Sequence, residues 1–332
     1  MKLFELHGIE KKFSVRKSGV FSSKKQIYAL KDINLDIYQG ETLGVVGESG
    51  CGKSTLGKII TGIHTAESGK LLWQGKDLST ADKQTKDQYR SKIQAVFQDP
   101  YSSFNPTLTI LEILQEPLNV RFSLSTHEKN RRIEEVLSRV GIDPGLTGRY
   151  PRAFSGGQRQ RISIARALLG EPDFLLCDEP ISALDVSIQA QIMNLLAELK
   201  DEMRITMLFI SHNISMVRHI SDRIAVMYLG RIVELGTAED VVNFPKHPYT
   251  KKLLSSILPP YVQKEVITTE EMEEELPSAS SVPPGCPYHP RCPHCMPICD
   301  KQFPSNFHIG NTEVACHLYD QSTTTVSRNG KD

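Results

Sequence analysis

The sequence predicts an α/β fold built on a mostly parallel β-sheet, with a small cysteine-rich extension at its C-terminal end. Short apolar runs alternate with helical stretches over residues 42–258, and such alternation favours a parallel sheet. A glycine-rich loop of the pattern G-x-x-x-x-G-K-[ST] follows one of these apolar runs and precedes a helical stretch. Five of the seven cysteines lie after residue 285, which sets this end of the chain apart.

Length and composition limit the number of domains and the class of partner. The chain has 332 residues and 39% apolar content, enough for one large core and a small appendage. Its 39 basic and 39 acidic residues cancel, so it lacks the electrostatic footprint of a nucleic-acid binder and we expect no nucleic-acid partner. No apolar run approaches the roughly 18 residues of a membrane span, and the N-terminus lacks a signal-peptide core. We therefore expect a soluble, cytoplasmic chain.

The elements follow in order along the chain. We expect strands at 2–7, 26–36, 43–46, 71–73, 93–97, 174–177, 206–210 and 223–228, and helices within 110–140, over 187–203 and in segments ending near residue 258. Residues 14–27 read as an insertion between the first two strands. We predict a nucleotide-binding domain over 1–258, a Pro- and Glu-rich linker over 259–284, a Cys-rich region over 285–320 and a disordered polar tail over 321–332.

The glycine-rich loop predicts a site for a nucleoside triphosphate. Its glycines let the backbone curl so that N–H groups and a helix N-terminus face the phosphates. Lys53 adds a cation and Ser54 a magnesium ligand. The full loop reads Gly47, Glu48, Ser49, Gly50, Cys51, Gly52, Lys53, Ser54.

Two further motifs extend this site. The apolar strand 174–177 ends in Asp178 and Glu179, where one carboxylate can reach magnesium and the second can polarise an attacking water. This is a Walker B arrangement. The segment Ser155-Gly156-Gly157-Gln158 opens a strongly helical stretch and indicates a second anion site at a helix N-terminus.

Together these motifs closely resemble the nucleotide-binding subunits of ABC transporters, over about residues 3–318. The resemblance implies a P-loop NTPase fold of the ABC ATPase type, with a mixed sheet core and a helical signature subdomain. It also implies ATP and Mg²⁺ as ligands, and a head-to-tail dimer in which each ATP lies between one subunit's P-loop and the other's signature helix. The nucleotide contacts that it implies include Thr55, after the loop named above, and the signature residues Ser155, Gly156, Gly157 and Gln158.

The resemblance also assigns roles to single residues. Gln98 matches the Q-loop residue that touches magnesium and the attacking water, and Asp185 matches the D-loop residue across the dimer. His212 matches the switch histidine that contacts the γ-phosphate, while the residue after it departs from the usual Asp. Phe13 is expected to stack on adenine, with Tyr28 as the alternative. The catalytic set is Glu179, as general base, with His212 and Gln98, and the magnesium set is Ser54, Gln98 and Asp178.

Segments outside the general motifs resemble one branch of the family. Residues 180–187, 245–254 and 283–286 are similar to those of oligopeptide/dipeptide importers, a branch that includes some nickel importers. The resemblance implies an F-type ATPase subunit, peripheral on the cytoplasmic side of the cell membrane. Its partners would be a second ATPase subunit, two transmembrane permeases and, indirectly, an extracytoplasmic peptide-binding protein. The alternatives are import of nickel or another small solute, and a soluble ABC ATPase without a transport role.

The cysteine-rich end suggests a metal centre. Cys286, Cys292, Cys299 and Cys316 supply four thiolates, enough for a [4Fe–4S] cluster or a zinc site. The resembling branch carries a cluster on this spacing. Cys295 is a fifth thiol that could substitute for one of the four. Zinc could also draw on histidines, and thiols without metal are the remaining alternative; the histidines are His289, His294 and His317.

Overall fold

The computed structural model describes residues 1–16, 24–99, 103–256 and 282–320. Near the N-terminus lies a small antiparallel sheet of four strands. These are β1 (Lys2–Arg16), β2 (Lys24–Tyr38), β4 (Ser68–Trp73) and β5 (Lys76–Asp77), in the order β2-β1-β4-β5. Its inner face is apolar, so it packs against the larger sheet through one shared core that includes Phe4, Ile9 and Trp73.

The larger sheet is mixed. Its five parallel strands are β3 (Thr42–Val46), β6 (Ile93–Phe97), β7 (Phe174–Asp178), β8 (Thr206–Ile210) and β9 (Arg223–Tyr228). Three antiparallel strands continue it, namely β10 (Arg231–Thr237), β11 (Asn306–Ile309) and β12 (Thr312–Ala315). The order is β11-β12-β10-β9-β3-β8-β7-β6. Every residue of β3, β7 and β8 is buried, as expected for parallel strands covered on both faces.

Helices cover this sheet and form a second apolar core. They are α1 (Lys53–Ile60), α2 (Lys83–Lys92), α3 (Ile110–Arg121), α4 (Thr126–Arg139), α5 (Gly156–Leu168), α6 (Val186–Met203), α7 (Ile214–Ile220), α8 (Ala238–Asn243) and α9 (Pro248–Ser255). Helix α4 turns Ile133 and Leu137, four residues apart, into that core and its charged residues to solvent. No helix in the described part of the chain is long and apolar enough to cross a bilayer.

The structure confirms most of the predicted elements and corrects one. The strands expected at 93–97, 206–210 and 223–228 are present with those bounds. The first two strands are longer than predicted: the described residues of the predicted insertion over 14–27 belong to β1 and β2, which continue as a long hairpin in which Phe13 pairs with Ile27. Residues 11–14 and 26–29 of this hairpin are half-buried or exposed, so burial gives this part of the two strands a weaker signal than their buried part. Residues 17–23, nearly all of the predicted linker and the predicted tail lie outside the described residues.

The C-terminal region, residues 282–320, lies directly against the rest of the protein. Strand β12 pairs antiparallel with β10, with Glu234 opposite Val314 and Leu235 opposite Glu313. Beneath this pairing, the buried carboxylate of Glu234 accepts hydrogen bonds from the N–H groups of Lys246 (2.7 Å) and His247 (2.8 Å), just before α9. The cysteine-rich region therefore continues the main sheet.

Candidate nucleotide-binding site

The loop between β3 and α1 has the shape that its glycines require. Gly47 has φ 153°, and a Cβ built on it would lie 2.2 Å from the carbonyl oxygen of Met227. Gly52, at the N-terminus of α1, has φ 110°, and its Cβ would lie 2.4 Å from the carbonyl oxygen of Ala29. Both positions combine a left-handed backbone with close contact to another chain segment, so only glycine fits. The loop thus presents backbone N–H groups at the start of a helix.

Lys53 lies inside this loop. Its side chain is almost fully buried, and its Nζ donates to the carbonyl oxygens of Gly47 (2.8 Å) and Glu48 (2.9 Å). A buried ammonium ringed by loop carbonyls places a full positive charge where the loop's N–H groups converge. This arrangement suits an anion as highly charged as a triphosphate.

Ser54 and Asp178 meet across the sheet. Strand β7 ends at Asp178, and the Ser54 hydroxyl donates to Asp178 Oδ1 at 2.9 Å. Burial raises the pKa of Asp178, and the hydrogen bond from Ser54 opposes that shift. A hydroxyl and a buried carboxylate are oxygen ligands of the kind that Mg²⁺ prefers, and a cation beside Asp178 would offset the cost of its burial. The donor set therefore fits magnesium.

Glu179, His212 and Gln98 lie at the mouth of the same site. Glu179 directly follows β7 and has φ 49°. Its N–H donates at 3.0 Å to the carbonyl oxygen of Ile210, the last residue of β8, and this hydrogen bond fixes its position. His212 Nδ1 lies 3.5 Å from Glu179 Oε2, with its side chain 60% exposed. Gln98 is exposed, one residue after β6. All three side chains thus follow the carboxyl ends of neighbouring strands, where ligands bind in open α/β sheets.

A cleft of about 480 Å³ runs along these residues. It is lined by Phe13, Ile27, Ala29, Ser49, Gly50, Gly52, Lys53, Ser54, Thr55, Gln98 and Glu179. Gln98 and Glu179 therefore face the same space as the phosphate-binding loop, and residues of that loop line one cleft with them.

The cleft also distinguishes the two aromatic candidates. Phe13 and Ile27 are cross-strand partners, and both side chains line the cleft. Tyr28 follows Ile27 on the same strand and so points to the opposite face. There it lies beneath the ammonium groups of Lys12 (4.6 Å) and Lys31 (5.1 Å). The register of the hairpin therefore favours Phe13, 38% exposed, as the ring available to a base.

The signature segment lies apart from this cleft. Ser155 caps α5 in a capping box, in which its Oγ accepts from the Gln158 N–H (3.3 Å) and its own N–H donates to Gln158 Oε1 (3.0 Å). None of its four residues is among those that line the P-loop cleft in the described structure. Asp185, at the start of α6, is exposed and makes no side-chain cap there. Both segments face outward, as surfaces available to a partner would.

The predicted metal ligands lie together at the C-terminal end. Cys286, Cys292, Cys299 and Cys316 line one small enclosed cavity, joined by His247, His289, His294 and His317. Burial raises the pKa of Cys286 to about 12 and that of Cys316 to about 11. Cys295 is exposed and is not among the residues lining the cavity. In the described residues, no three His, Cys, Asp or Glu side chains are arranged to hold a single metal ion.

Comparison with known proteins decides the family. A model of the ABC transporter family matches residues 30–182, and a model described as the oligopeptide/dipeptide transporter C-terminal region matches residues 233–299. The oligopeptide transport ATP-binding protein AppF of Bacillus subtilis is 46% identical over 323 residues, which cover 96% of this chain and 97% of AppF. This chain belongs to the ATP-binding subunits of ABC transporters. The dipeptide transport ATP-binding protein DppF of Escherichia coli is 43% identical over 96% of this chain and 95% of its own length.

Solved structures agree with this family. A dimeric ATP-binding cassette in a post-hydrolysis state, bound to ADP and phosphate, is 32% identical with a TM-score of 0.62, over 71% of this chain and 98% of that one. As an ABC ATP-binding subunit, the chain is an ATPase whose ligands are ATP and Mg²⁺. Subunits of this family work as ATPase dimers with membrane permeases, through which they associate with the membrane.

Sequence reasoning missed one set of contacts in this ABC subunit. Arg291, in the cysteine-rich region, lies 3.1 and 3.2 Å from the two carboxylate oxygens of Glu48 in the P-loop. Tyr249 Oη accepts the N–H of Glu48 at 2.9 Å. Of Arg291 and Tyr249, only Tyr249 falls in a segment that resembles peptide importers, residues 245–254, and that resemblance gives no distance.

Proposed function

We propose that this chain is one of two ATPase subunits that power the import of oligopeptides or dipeptides through a membrane ABC transporter. Two findings support the peptide cargo: the match to the oligopeptide/dipeptide transporter C-terminal region, and the similarity over nearly their whole length to relatives described as oligopeptide and dipeptide transport ATP-binding proteins. The subunit would lie on the cytoplasmic face, under two permeases, with peptide delivered by an extracytoplasmic binding protein.

The phosphate end of the site is proposed to work through its loop and its cation. Backbone N–H groups of the loop and the Lys53 ammonium bind the phosphate oxygens, and Thr55 follows in the same turn of α1. Ser54 and Asp178 hold magnesium, with Gln98 as a further oxygen donor at the cleft mouth. When bound, Mg²⁺ neutralises charge on the phosphates and polarises the bond to be broken.

Hydrolysis is assigned to Glu179 as general base. The observation that carries this role is the pairing of its carboxylate with His212 at 3.5 Å, in the cleft that also holds the phosphate-binding loop. Glu179 accepts the proton of the attacking water, and Gln98 helps to place that water. His212 holds the carboxylate in position and donates to the γ-phosphate.

The outward-facing segments are proposed to complete the site of a partner ATPase. Ser155, Gly156, Gly157 and Gln158 form a capped helix N-terminus, a position suited to an anion, and they do not line this chain's own cleft. Asp185 lies at the same surface, and the neighbouring Val186 is 79% exposed. In a head-to-tail dimer each ATP would touch one P-loop and the other subunit's signature. ATP binding would close the pair and hydrolysis would release it.

The test of this mechanism is the substitution Glu179→Gln in the assembled transporter. It preserves the shape of the side chain and removes the base, so we expect ATP to bind while phosphate release falls by about 10²–10⁴-fold. Glu198→Gln is the control, because Glu198 is an exposed glutamate on α6. Phosphate release within twofold of wild type in the Glu179→Gln transporter would contradict the assignment.

The cargo is tested separately, on membrane vesicles that contain the whole transporter. Uptake of a labelled dipeptide or short oligopeptide that requires ATP and is lost with Glu179→Gln would support peptide import. ATP-driven uptake of nickel without uptake of peptide would move the chain to the alternative cargo. Recovery of the chain from host membranes without permeases would contradict any transport role.

We also propose a structural [4Fe–4S] cluster in the cysteine cavity. Four buried or half-buried thiols border one enclosed space, which matches the donor number of such a cluster. Burial raises the pKa of Cys286 and Cys316, so ionising these thiols is costly, and metal binding would offset that cost. Anaerobic purification should yield about four irons per chain and a brown colour. One zinc per chain without iron would overturn the cluster in favour of a zinc site.

A further inference from the structure

An ion pair joins the cysteine-rich region to the phosphate-binding loop. Arg291 Nη1 lies 3.1 Å from Glu48 Oε1 and 3.2 Å from Oε2, and 3.3 Å from the hydroxyl of Tyr228 at the end of β9. The two charged side chains are only 17% and 27% exposed. Because the pair is largely shielded from water, it is worth more than an ordinary surface salt bridge.

The same loop residue is held at three points. The Glu48 N–H donates to Tyr249 Oη, its carbonyl accepts from Lys53, and its carboxylate pairs with Arg291. Tyr249, Tyr228 and Tyr288 form a buried cluster of rings, with centroids 4.6 to 5.4 Å apart. Glu48 is therefore held by Tyr249 of α9, by Lys53 at the start of α1 and by Arg291 of the cysteine-rich region, and Tyr228 of β9 in turn contacts Arg291.

Charge explains why the pair matters for binding a nucleotide. Glu48 places a carboxylate on the loop that receives a triphosphate, where a bare negative charge would repel the ligand. Arg291 offsets that charge without adding an exposed cation. Removing Arg291 would leave the Glu48 carboxylate unpaired and its side chain free to move, and each effect weakens phosphate binding.

The turn that carries Arg291 is itself fixed by the cysteine-rich region. Arg291 closes a short 3₁₀ turn, and its N–H donates to the carbonyl oxygen of Tyr288 at 3.0 Å. Cys286 and Cys292, on either side of the turn, both line the cysteine cavity. The Cys286 N–H donates to the carbonyl oxygen of Cys299 at 2.8 Å. The position of the guanidinium thus depends on the packing of that region.

We propose that Arg291 is a positioning residue of the ATPase, which holds Glu48 and thereby keeps the phosphate-binding loop in its ATP-binding form. The cysteine-rich region then acts on the nucleotide site directly, through one ion pair, and its integrity sets the affinity for ATP. This inference rests on the ATPase activity of the family and is independent of the transported cargo and of any metal in the cysteine cavity.

The experiment measures equilibrium binding of labelled ATP to the full-length chain. Arg291→Ala should raise the Kd for ATP about tenfold, within the usual range of coupling between two sites. Arg291→Lys should recover part of the affinity, because an ammonium can still pair with Glu48. Adding Glu48→Gln to Arg291→Ala should also recover affinity, because no bare carboxylate remains beside the phosphates.

Arg231→Ala is the matched control. The Arg231 guanidinium lies 3.9 Å from the ring centre of Phe303, so it also joins the ATPase core to the C-terminal region, but in the described structure it makes no ion pair with the P-loop. Its Kd should stay within twofold of wild type. In the assembled transporter Arg291→Ala should raise KM for ATP and leave kcat at saturating ATP within about twofold, a split that general destabilisation does not give.

The proposal fails if Arg291→Ala binds ATP like wild type, or if Arg231→Ala weakens binding as much. It also fails if Glu48→Gln brings no recovery in the Arg291→Ala background. If Arg291→Ala does not fold, Arg291→Gln and Arg291→Lys are compared instead, and equal Kd values for these two variants would overturn it. Wild-type binding and hydrolysis, measured alongside, report on the ATPase assignment separately.

Discussion

At the scale of single residues, Glu179 combines a proposed chemical role with a backbone conformation that L residues seldom adopt. Two hydrogen bonds hold its φ of 49°. The Glu179 N–H donates to the Ile210 carbonyl, and the Glu179 carbonyl accepts from the Ser182 N–H. A Cβ in this left-handed region costs about 1–2 kcal/mol. The fold therefore accepts local strain to aim the carboxylate into the cleft, a pattern typical of functional sites.

This strain predicts that two substitutions at Glu179 have the same effect on activity and different effects on stability. Glu179→Gly removes the Cβ and the base, while Glu179→Ala removes the base and keeps the Cβ. Both variants should lose hydrolysis, but Glu179→Gly should be more stable than Glu179→Ala by about 1 kcal/mol. Urea unfolding of the two full-length variants measures that difference. Equal unfolding midpoints would mean that the left-handed backbone stores no strain.

At the scale of elements, two helices begin with the same device and differ in what surrounds it. Thr109 and Glu112 form a capping box at the start of α3, and Ser155 and Gln158 form one at the start of α5. Both satisfy helix N–H groups that would otherwise lack partners. Only the second belongs to the proposed anion site, so the first serves as an internal reference for the cost of a lost cap.

Substitutions at the two caps should therefore distinguish an effect on stability from an effect on ATP hydrolysis. Thr109→Ala and Ser155→Ala should each lower the free energy of unfolding by about 1 kcal/mol. Only Ser155→Ala should also reduce ATP hydrolysis by the assembled transporter, because it alters the surface offered to the partner's nucleotide. Denaturant unfolding and phosphate release measure the two effects. A comparable fall in hydrolysis with Thr109→Ala would show that loss of a helix cap alone accounts for it.

Local patterns in the sequence were sufficient to predict the strands that are buried on both faces and the nucleotide-binding motifs. Residues 207–210 of strand β8 read as an unbroken apolar run, and Ser54 and Asp178 could be paired across 124 residues because each belongs to a recognisable motif. The choice between Phe13 and Tyr28 needed the register of a hairpin, which no local pattern supplies. The contact of Arg291 with Glu48 spans 243 residues and depends on how the C-terminal region docks.

At the scale of the whole molecule, one sheet runs from the ATPase core into the cysteine-rich region. Strand β12 pairs with β10, β10 with β9, and β9 with β3, the strand that leads into the phosphate-binding loop. The pairing of β12 with β10 is short and depends on close contact between Gly236 and the buried Thr312. A docked hairpin of this kind can be loosened without unfolding the core.

Gly236→Val should loosen the docking of the β11–β12 hairpin on β10. A Cβ at Gly236 would lie 2.8 Å from Thr312 Oγ1 and 3.3 Å from Thr312 Cα, so a branched side chain forces β12 away from β10. We expect faster amide exchange at residues 306–315, with strands β3 and β8 unchanged, because those strands lie beyond β9 in the sheet. Gly148→Val is the control, since a Cβ there meets nothing within 4 Å. If docking of this hairpin also holds Arg291 in place, Gly236→Val should weaken ATP binding in the same direction as Arg291→Ala. Unchanged exchange at 306–315 would show that the hairpin is held by contacts other than this strand pairing.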